Sequence, residues 1–430
     1  MKNLITTFFN SDSKIRLFKN FISLSILKGL NYVFPLITLP YLVRILGPEK
    51  YGLVSFAQAF IGHFIILTDY GFNLSATREI SINRENKQKI LEIFSSVMSV
   101  KFILCILSFI ILLLFIFFIP KFKNNWLVYV FTFGMVLGNV LFPVWFFQGI
   151  EKMKYITIIN VIAKSIFTIC IFIFIKKVSD FIYVPLVNSI GYLIAGGVSL
   201  IIVFKNFGIR FIFPSLKNIK YQLREGWHIF ISTISTSLYT TSNVFILGLF
   251  ANSNIVGYYA AAEKIIRSVQ GLLIPISQTV YPHIAKLADV SKEKALDFIW
   301  KLMKVVKIGS FIISLLIFIF SKQIVNFLLG HQYQKSIIVL KILSFLPFMI
   351  GLSNVLGIQT MLTFKMEKIF SRILIAAGIL NIFLALILVP VFYHIGTAIS
   401  VLSTEIFVTS CMIIYLLKKG YLKVNLCKKR

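Results

Sequence analysis

The sequence predicts an all-α polytopic membrane protein, with about twelve transmembrane helices in two parallel six-helix bundles. Apolar residues make up 58% of the chain and charged residues only 14%, against about 45–50% and about 25% in soluble domains. The apolar residues also gather in runs that match the roughly 20 residues needed to cross a bilayer. This composition excludes soluble enzymes, disordered proteins and disulfide-rich secreted domains.

The apolar runs are bounded by charges, glycine and proline. They give twelve predicted spans: 21–43, 52–74, 95–119, 126–149, 155–175, 181–204, 226–250, 256–283, 303–321, 336–362, 373–393 and 395–417. Unbroken runs favour helices, because a lipid-exposed segment must satisfy its own backbone hydrogen bonds. A membrane β-barrel would instead show short strands of alternating polarity. The first run contains Lys28 and lacks a small-residue cleavage site, so we interpret it as a retained span and not a signal peptide.

The net charge of +29 is distributed unevenly between the loops. With the N-terminus in the cytoplasm, 30 of the 44 Lys and Arg residues fall on the cytoplasmic side and 8 on the outer side. This asymmetry is typical of topogenic signals and contacts with anionic headgroups, not of nucleic-acid binding. It predicts a multi-pass membrane protein with both termini in the cytoplasm.

A weak internal repeat is offset by 205 residues. It aligns Gly52 with Gly257 and Ala57 with Ala262, each at the start of the second span of its half. The repeat predicts an N-terminal bundle over 1–210 and a C-terminal bundle over 211–430, related by an axis along the membrane normal. A substrate site is then expected between the halves.

The sequence carries no recognisable motif of an enzyme or a cofactor site. No Gly is followed by Lys, which excludes a Walker A loop. The five histidines and four cysteines have no metal-ligand spacing, and no loop is long enough for a catalytic domain. We therefore predict a protein that is not an enzyme and holds no cofactor or metal.

Charged residues inside the spans are the first candidates for a functional site, because such groups usually face a cavity or a partner. Lys28, Lys164 and Arg267 lie deepest in their spans, whereas Lys101 and Lys341 are shallow enough to snorkel to the interface. Glu263 and Arg267 are four residues apart and can pair on one helix face. The remaining charged candidates are Asp69, Lys264 and Glu405.

A polar stripe follows the seventh span at helical spacing: Ser232, Ser235, Thr236, Tyr239, Thr240 and Asn243. In the first span, Asn31 lies near Lys28 in the same way. Two interpretations stay open: hydrogen bonds between helices, or the wall of a hydrated cavity. A cavity lined by Lys28, Lys164, Lys264 and Arg267 would attract an anion carrying phosphate or carboxylate.

The N-terminal region resembles bacterial polysaccharide (O-antigen) flippases of the multidrug/oligosaccharidyl-lipid/polysaccharide exporter superfamily. The resemblance is carried by the stretch Pro35–Gly52, by Phe56-Ala57-Gln58 and by the segment Asp69–Glu79. It implies two bundles that open alternately to each side. It also implies an undecaprenyl-pyrophosphate-linked oligosaccharide as substrate, and a polysaccharide polymerase as a partner.

These considerations define two sets of candidate residues. The substrate-binding candidates are Lys28, Asn31, Lys164, Asn243, Lys264 and Arg267. The candidates for coupling to H⁺ or Na⁺, or for gating, are Asp69, Arg78, Glu263 and Glu405. Three alternatives stay open at this point: a drug or metabolite exporter of the same superfamily, a membrane glycan polymerase or transferase, and a flippase for teichoic acid or capsule.

The charge distribution makes a testable prediction about topology. A reporter inserted at Asn254, between the seventh and eighth spans, is expected on the outer side of the membrane, and reporters at both termini on the cytoplasmic side. Cysteine labelling or enzyme fusions measure this directly. A cytoplasmic signal at Asn254 would contradict the predicted span order.

Overall fold

The computed structural model describes residues 12–271 and 274–421, with side chains from Phe34 onward apart from 235, 238, 239, 274–276, 278, 279 and 282. Within these residues the backbone is helical between short turns and forms no β-strand. Eight of the described helices are long and apolar enough to cross a membrane. The predicted fold class, an all-α polytopic membrane protein, is confirmed, and the number of twelve spans stays a prediction.

The α-helices, in chain order, are α1 Asp12–Asp69, α2 Phe72–Ile82, α3 Lys87–Phe118, α4 Pro120–Lys123, α5 Trp126–Leu141, α6 Val144–Gly149, α7 Lys154–Phe174, α8 Tyr183–Phe207, α9 Leu216–Thr240, α10 Asn243–Phe250, α11 Ser253–Gly271, α12 Ile274–Val290, α13 Lys292–Ile319, α14 Ser321–Ile324, α15 Ser336–Leu343, α16 Leu346–Asn354 and α17 Glu367–Lys418. Short 3₁₀ segments cover Val178–Ile182 and His331–Tyr333. Two π-helical segments cover Val325–Leu329 and Val355–Leu362.

The two longest helices each contain two predicted spans. α1 turns at Gly47, whose φ of 68° lies in the left-handed region that glycine adopts without steric cost. Pro48 follows, and its fixed φ suits the first turn of the segment that continues to Asp69. α17 turns at Tyr393, with a φ of 48°. The sequence places span boundaries at both turns.

Other predicted spans are interrupted within the bilayer region. The fourth span breaks at Phe142 and Pro143 between α5 and α6, and the seventh at Thr241 and Ser242 between α9 and α10. The tenth span ends in the π-helical segment Val355–Leu362. Interrupted membrane helices expose backbone groups that need a partner, which makes them common locations for functional sites.

The described residues form two compact units. Unit 1 contains the residues up to Phe34 together with Phe56–Ile234, and unit 2 contains Pro35–Ser55 together with the residues from Ser235 onward. The unit boundaries therefore fall within α1 and α9. The predicted division into bundles 1–210 and 211–430 rests on the sequence repeat and stays a prediction.

Within unit 1, α5 and α8 approach each other through small residues. A Cβ atom added to Gly134 would lie 2.7 Å from the Ser189 side chain, and one added to Gly138 would lie 2.4 Å from the Tyr192 carbonyl carbon. Small residues four apart allow this close approach of membrane helices. Phe94, Trp145 and Phe146 fill the neighbouring core around α3 and α6.

Within unit 2, the two repeat-related segments touch each other reciprocally. A Cβ atom on Gly52 would lie 1.8 Å from the Ser253 carbonyl oxygen, and one on Gly257 would lie 2.0 Å from the Pro48 carbonyl oxygen. Pro48 and Ser253 are themselves aligned by the offset of 205. The two contacts are thus equivalent under the repeat, and each leaves room for glycine alone.

Hydrogen bonds strengthen the packing of the same part of α1 within unit 2. Gln332 Nε2 donates to the carbonyl oxygens of Val43, at 3.3 Å, and Arg44, at 3.1 Å. The Arg44 guanidinium in turn donates to the Phe327 carbonyl oxygen. All of these residues belong to segments that the charge distribution places on or near the outer side.

The glycine contact predicts a selective loss of stability. Gly52→Ala and Gly257→Ala are each expected to lower the free energy of unfolding by about 1–3 kcal/mol, because the new methyl group forces backbone segments apart. Gly62→Ala is the matched control, since a Cβ atom at Gly62 meets nothing within 4 Å. Thermal unfolding of the purified protein in detergent measures the difference. Equal midpoints for all three variants would contradict the contact.

Candidate functional site

Unit 1 contains an ion pair between α1 and α3 whose cation is buried. Lys101 Nζ donates to Asp69 Oδ1 at 2.9 Å, and Asn139 Nδ2 on α5 donates to the same oxygen at 2.9 Å. Asn73 Nδ2 lies 3.4 Å from the other carboxylate oxygen. The Lys101 side chain is 1% exposed and that of Asp69 25%. The Asp69 carboxylate at the end of α1 therefore links α2, α3 and α5.

The position of Lys101 corrects the sequence interpretation. The shallow depth of Lys101 suggested a side chain that snorkels to the interface, and this was wrong, because its ammonium group is buried against Asp69. Depth was counted along one helix of the sequence. Such a count cannot show that Asp69, 32 residues earlier in the chain, lies beside the Lys101 ammonium group. Lys341, the other shallow lysine, is half-buried, with its ammonium group 5.7 Å from the centre of the Phe318 ring.

Lys164 lies on the inward face of α7. The exposed apolar side chains of this helix recur at three- or four-residue spacing: Ile158, Ile162, Ile166, Ile169 and Ile173. Lys164 is two residues from both Ile162 and Ile166, which places it about 200° around the helix from each. The half-buried Lys164 is therefore on the side of α7 that faces away from lipid.

In unit 2, α11 carries three neighbouring charges with different environments. Arg267 donates to Glu263 Oε1 at 2.8 Å, which confirms the pair predicted from their spacing. Arg267 also donates to the carbonyl oxygen of Thr240, the last residue of α9. A cation at this position satisfies a carbonyl group freed by the helix break and interacts favourably with the C-terminal end of the helix dipole.

Lys264 is exposed on a helix whose other side chains are mostly buried or half-buried. α11 is described in full and presents no exposed large apolar side chain, so it is not a lipid-facing helix. Lys264 is nevertheless exposed, and within the described side chains it forms no ion pair or hydrogen bond.

The remaining candidates on α9, α10 and α17 differ in accessibility. Asn243, the first residue of α10, is 1% exposed. In the polar stripe, Ser232 is exposed and Thr236 and Thr240 are half-buried, so these three share an accessible face of α9. Glu405 is half-buried, and the described part of the chain gives it no ion pair.

Arg78, a candidate for gating, lies on the surface of unit 1. Its guanidinium donates to Glu225 Oε2 on α9 at 2.6 Å, with 64% of the Arg78 side chain exposed. Directly beside it, Gln222 Nε2 on α9 donates to Glu79 Oε2 on α2 at 2.8 Å, and this pair is buried. The sequence did not single out Glu79 or Gln222, which lie 143 residues apart.

The candidates are divided between the two units. Asp69, Lys164 and Arg78 belong to unit 1, and Asn243, Glu263, Lys264, Arg267 and Glu405 to unit 2. Glu263, Lys264 and Arg267 lie together on α11. The side chains of Lys28 and Asn31 lie outside the described residues, although their helix, α1, is described.

Comparison with known proteins identifies the family of this chain. A sequence model of the family described as "Polysaccharide biosynthesis protein" matches residues 17–288. The chain belongs to this family. The family match covers all of the described part of unit 1 from Leu17 onward, and in unit 2 it covers α10 and α11, the helices that carry Asn243, Glu263, Lys264 and Arg267.

Two relatives extend the similarity over almost the whole chain. A protein of Escherichia coli (strain K12) is 38% identical over 403 residues, covering 94% of this chain and 97% of the relative. A protein of Shigella dysenteriae is 33% identical over 397 residues, covering 92% and 98%. Both bear the name "Putative O-antigen transporter".

Solved structures with the same fold include two membrane transporters. An inward-facing multidrug resistance MATE family transporter of the MOP superfamily matches with a TM-score of 0.69 at 15% identity, covering 91% of this chain and 96% of the other. The lipid II flippase MurJ, in an inward closed conformation, matches with a TM-score of 0.69 at 16% identity, covering 95% and 90%. These similarities establish the fold of the family member described here.

The buried ion pair predicts strong coupling between Asp69 and Lys101. Asp69→Asn alone is expected to cost about 3–5 kcal/mol, because it leaves the buried Lys101 ammonium group without its counter-charge, whereas the double variant Lys101→Met with Asp69→Asn recovers most of that loss. Lys101→Met alone is expected to cost less, because Asp69 is partly exposed and keeps Asn139 as a donor. Thermal unfolding in detergent measures all three. The exposed Lys89–Glu92 pair is the matched control, and Lys89→Met there should cost under about 1 kcal/mol. Additive losses in the double variant would contradict the coupling.

Proposed function

We propose that this protein is a flippase that carries a lipid-linked oligosaccharide from the cytoplasmic to the outer leaflet of the bacterial inner membrane. The observation that carries the proposal is the similarity, over nearly the full length, to two proteins named as O-antigen transporters. We further propose undecaprenyl pyrophosphate as the lipid carrier, an O-antigen or capsular repeat unit as the glycan, and alternating access as the mechanism.

The accessible cations support an anionic substrate. Lys264 is exposed on a helix without exposed large apolar side chains, and Lys164 lies on α7 opposite its exposed isoleucines. In a medium of low dielectric constant, a pyrophosphate interacts strongly with such cations. A transporter of cationic drugs needs the reverse sign, but Asp69 and Glu263 are both engaged with cations.

The other parts of the substrate fit the remaining candidates. The accessible hydroxyls of Ser232, Thr236 and Thr240 offer hydrogen bonds to the sugars. The polyprenyl chain stays in lipid and needs no polar partner. Lys28, Asn31 and Asn243 complete the proposed substrate-binding set, and Arg267 joins it through the part of its side chain that is exposed.

Coupling and partners belong to the same proposal. The protein is proposed to act without bond formation, with energy from an H⁺ or Na⁺ gradient, and to deliver its product to a polysaccharide polymerase on the outer side. Asp69, Glu263 and Glu405 are the proposed coupling residues, and Arg78 a gating residue. Both termini are proposed to lie in the cytoplasm.

A deletion strain tests the proposed function. Loss of the protein should leave lipid-linked glycan units on the cytoplasmic face while their synthesis continues, measured by extracting the lipids and probing their accessibility to an external enzyme. A strain that makes no lipid-linked unit would favour a transferase, and external units that stay unpolymerised would favour a polymerase. Complementation with Lys264→Ala should lower export at least about tenfold, the equivalent of about 1.4 kcal/mol. Lys264→Arg should keep partial export, and Lys341→Ala is the control for a shallow lysine.

A further inference from the structure

The chain between α8 and α9 forms a short non-helical segment of unit 1. It covers residues 208–215, and we call it the linker strap. Gly208 ends α8 with a φ of 60°, in the left-handed region, and Ile209 N then donates to the Val203 carbonyl oxygen at 3.4 Å. A glycine in this conformation stops a helix and turns the chain aside.

The linker strap is attached to unit 1 at its start and in its middle. Ile209 is 3% exposed and packs into the core around α3 and α6. Ile212 N donates to the Oγ atom of Ser95 on α3 at 3.0 Å. At the far end, Ser215 Oγ accepts from Asn218 N at 3.2 Å and caps the start of α9. The backbone of the strap is therefore fixed on its own unit.

The side chains between these attachments are apolar and point away from the unit. Phe213 is 95% exposed, and Leu216, the first residue of α9, is 84% exposed. The Phe211 ring meets the Phe213 ring edge-on, with 5.7 Å between their centroids. Single exposed apolar side chains are common on proteins, whereas a group of them with a charged border indicates a contact surface.

The border of this apolar group is basic. Residues 205–224 contain no carboxylate and five exposed cations: Lys205, Arg210, Lys217, Lys220 and Arg224. The last three recur at spacings of three and four residues, so they share one face of α9. The opposite face of the same helix packs against the core of unit 1 through Ile219 and Leu223.

Neighbouring elements add to the positive charge. The Lys87 ammonium group, at the start of α3, lies 3.0 Å from the position of a Cβ atom added to Gly208. Glu225, which directly follows the basic run, is already paired with Arg78 at 2.6 Å. The surface around the strap therefore presents cations beside exposed phenylalanine rings.

The apolar group continues the lipid-facing side of α8. The exposed apolar side chains of this membrane-span helix recur at spacings of three or four residues up to its end: Ile190, Ile194, Val198, Ile201 and Phe204. The linker strap begins four residues after Phe204, so it leaves the helix where α8 emerges from the hydrocarbon region. Its phenylalanine rings extend the same apolar surface to the depth of the headgroups.

We propose that the linker strap and the first turns of α9 form a binding surface for anionic phospholipids of the cytoplasmic leaflet. Phe211, Phe213 and Leu216 enter the boundary between headgroups and acyl chains. The surrounding Lys and Arg side chains bind the headgroup phosphates beside them. The ligand is the membrane itself, so the proposal does not rest on the proposed glycan substrate.

Both parts of the surface are needed for this assignment. Exposed phenylalanine rings alone would suit any lipid, and their continuity with α8 favours lipid over a soluble partner. The cations supply the selection, because a Lys or Arg near the membrane attracts anionic headgroups and gains nothing from a neutral surface. Since α9 begins at Leu216, bound headgroups also hold the start of this helix at the membrane surface.

Quenching of a fluorescent label by brominated lipids tests the proposal without substrate. Phe213→Cys carries bimane, a small aromatic label, in a variant without the four natural cysteines. The protein is placed in vesicles with equal amounts of phosphatidylglycerol and phosphatidylcholine, and only one of the two lipids is brominated. The local ratio of phosphatidylglycerol to phosphatidylcholine should be about five, the enrichment expected for one cation at the headgroups. Salt near 1 M should lower it, because the Debye length falls to about 3 Å.

Two variants with the same loss of charge separate the strap from the rest of the protein. Replacing Arg210, Lys217 and Lys220 together by Gln should lower the ratio below about two. The matched control replaces three exposed lysines of α13 in unit 2 by Gln, and it should keep the ratio of the parent protein. The control lysines are Lys294, Lys304 and Lys307.

Native mass spectrometry of the unlabelled chain in detergent is an independent measurement that keeps the natural cysteines. With added phosphatidylglycerol, the strap variant should hold fewer lipid molecules than the control variant.

Four outcomes would overturn the lipid surface. Equal quenching by the two lipids would show that the strap does not select headgroups. No quenching by either lipid would place Phe213 in water and favour a soluble partner. An equal loss of selectivity in the two charge variants, or equal numbers of bound lipids, would show a general effect of net charge. The deletion strain tests the flippase proposal separately.

Discussion

The structure depends on one constraint: lipid supplies no hydrogen bonds, so each polar group must find a partner within the protein or reach water. Where α9 breaks after Thr240, the Arg267 guanidinium takes up its carbonyl group. Where Asp69 ends α1, Lys101 and Asn139 both donate to it. The constraint thus concentrates the polar chemistry of a very apolar chain at a few points, and these points are where helices end or break.

Close backbone contact is the other means by which this chain gains stability without polar groups. Packing enthalpy falls steeply with distance, so residues without side chains allow helices to gain the most contact. Gly134 and Gly138 serve this purpose within unit 1, and Gly52 and Gly257 within unit 2. The second pair is equivalent under the sequence repeat. A contact between repeat-related residues can be remade in a similar form after a rearrangement, because both partners present nearly the same surface.

Much of the fold could be predicted from the sequence, and parts of the site could not. Membrane helices can be predicted because the need for apolar side chains in lipid applies to consecutive residues. The Glu263–Arg267 pair could be predicted because residues four apart lie about one helical turn apart. The location of the Lys101 side chain was predicted wrongly because its partner Asp69 lies on another helix. Glu79 and Gln222 were missed because their sequence separation of 143 residues gives no local signal. The break at Thr240 lacks both Gly and Pro, the residues by which a sequence normally marks such a point.

The charge that remains after these ion pairs form is positive, which suits the proposed anionic substrate. Asp69 and Glu263 are each held by a cation within their own unit, so they offer little negative charge to a ligand. Lys264 has no such partner in the described side chains, and a lone cation at membrane depth costs about 2.5–3.5 kcal/mol on insertion scales. Access to water reduces that cost, and a bound phosphate offsets it further. Under the proposed function, recognition through phosphate would use the one group that all polyprenyl-linked glycans share, with the charged residues proposed to bind the carrier and the hydroxyls of α9 proposed to bind the sugars.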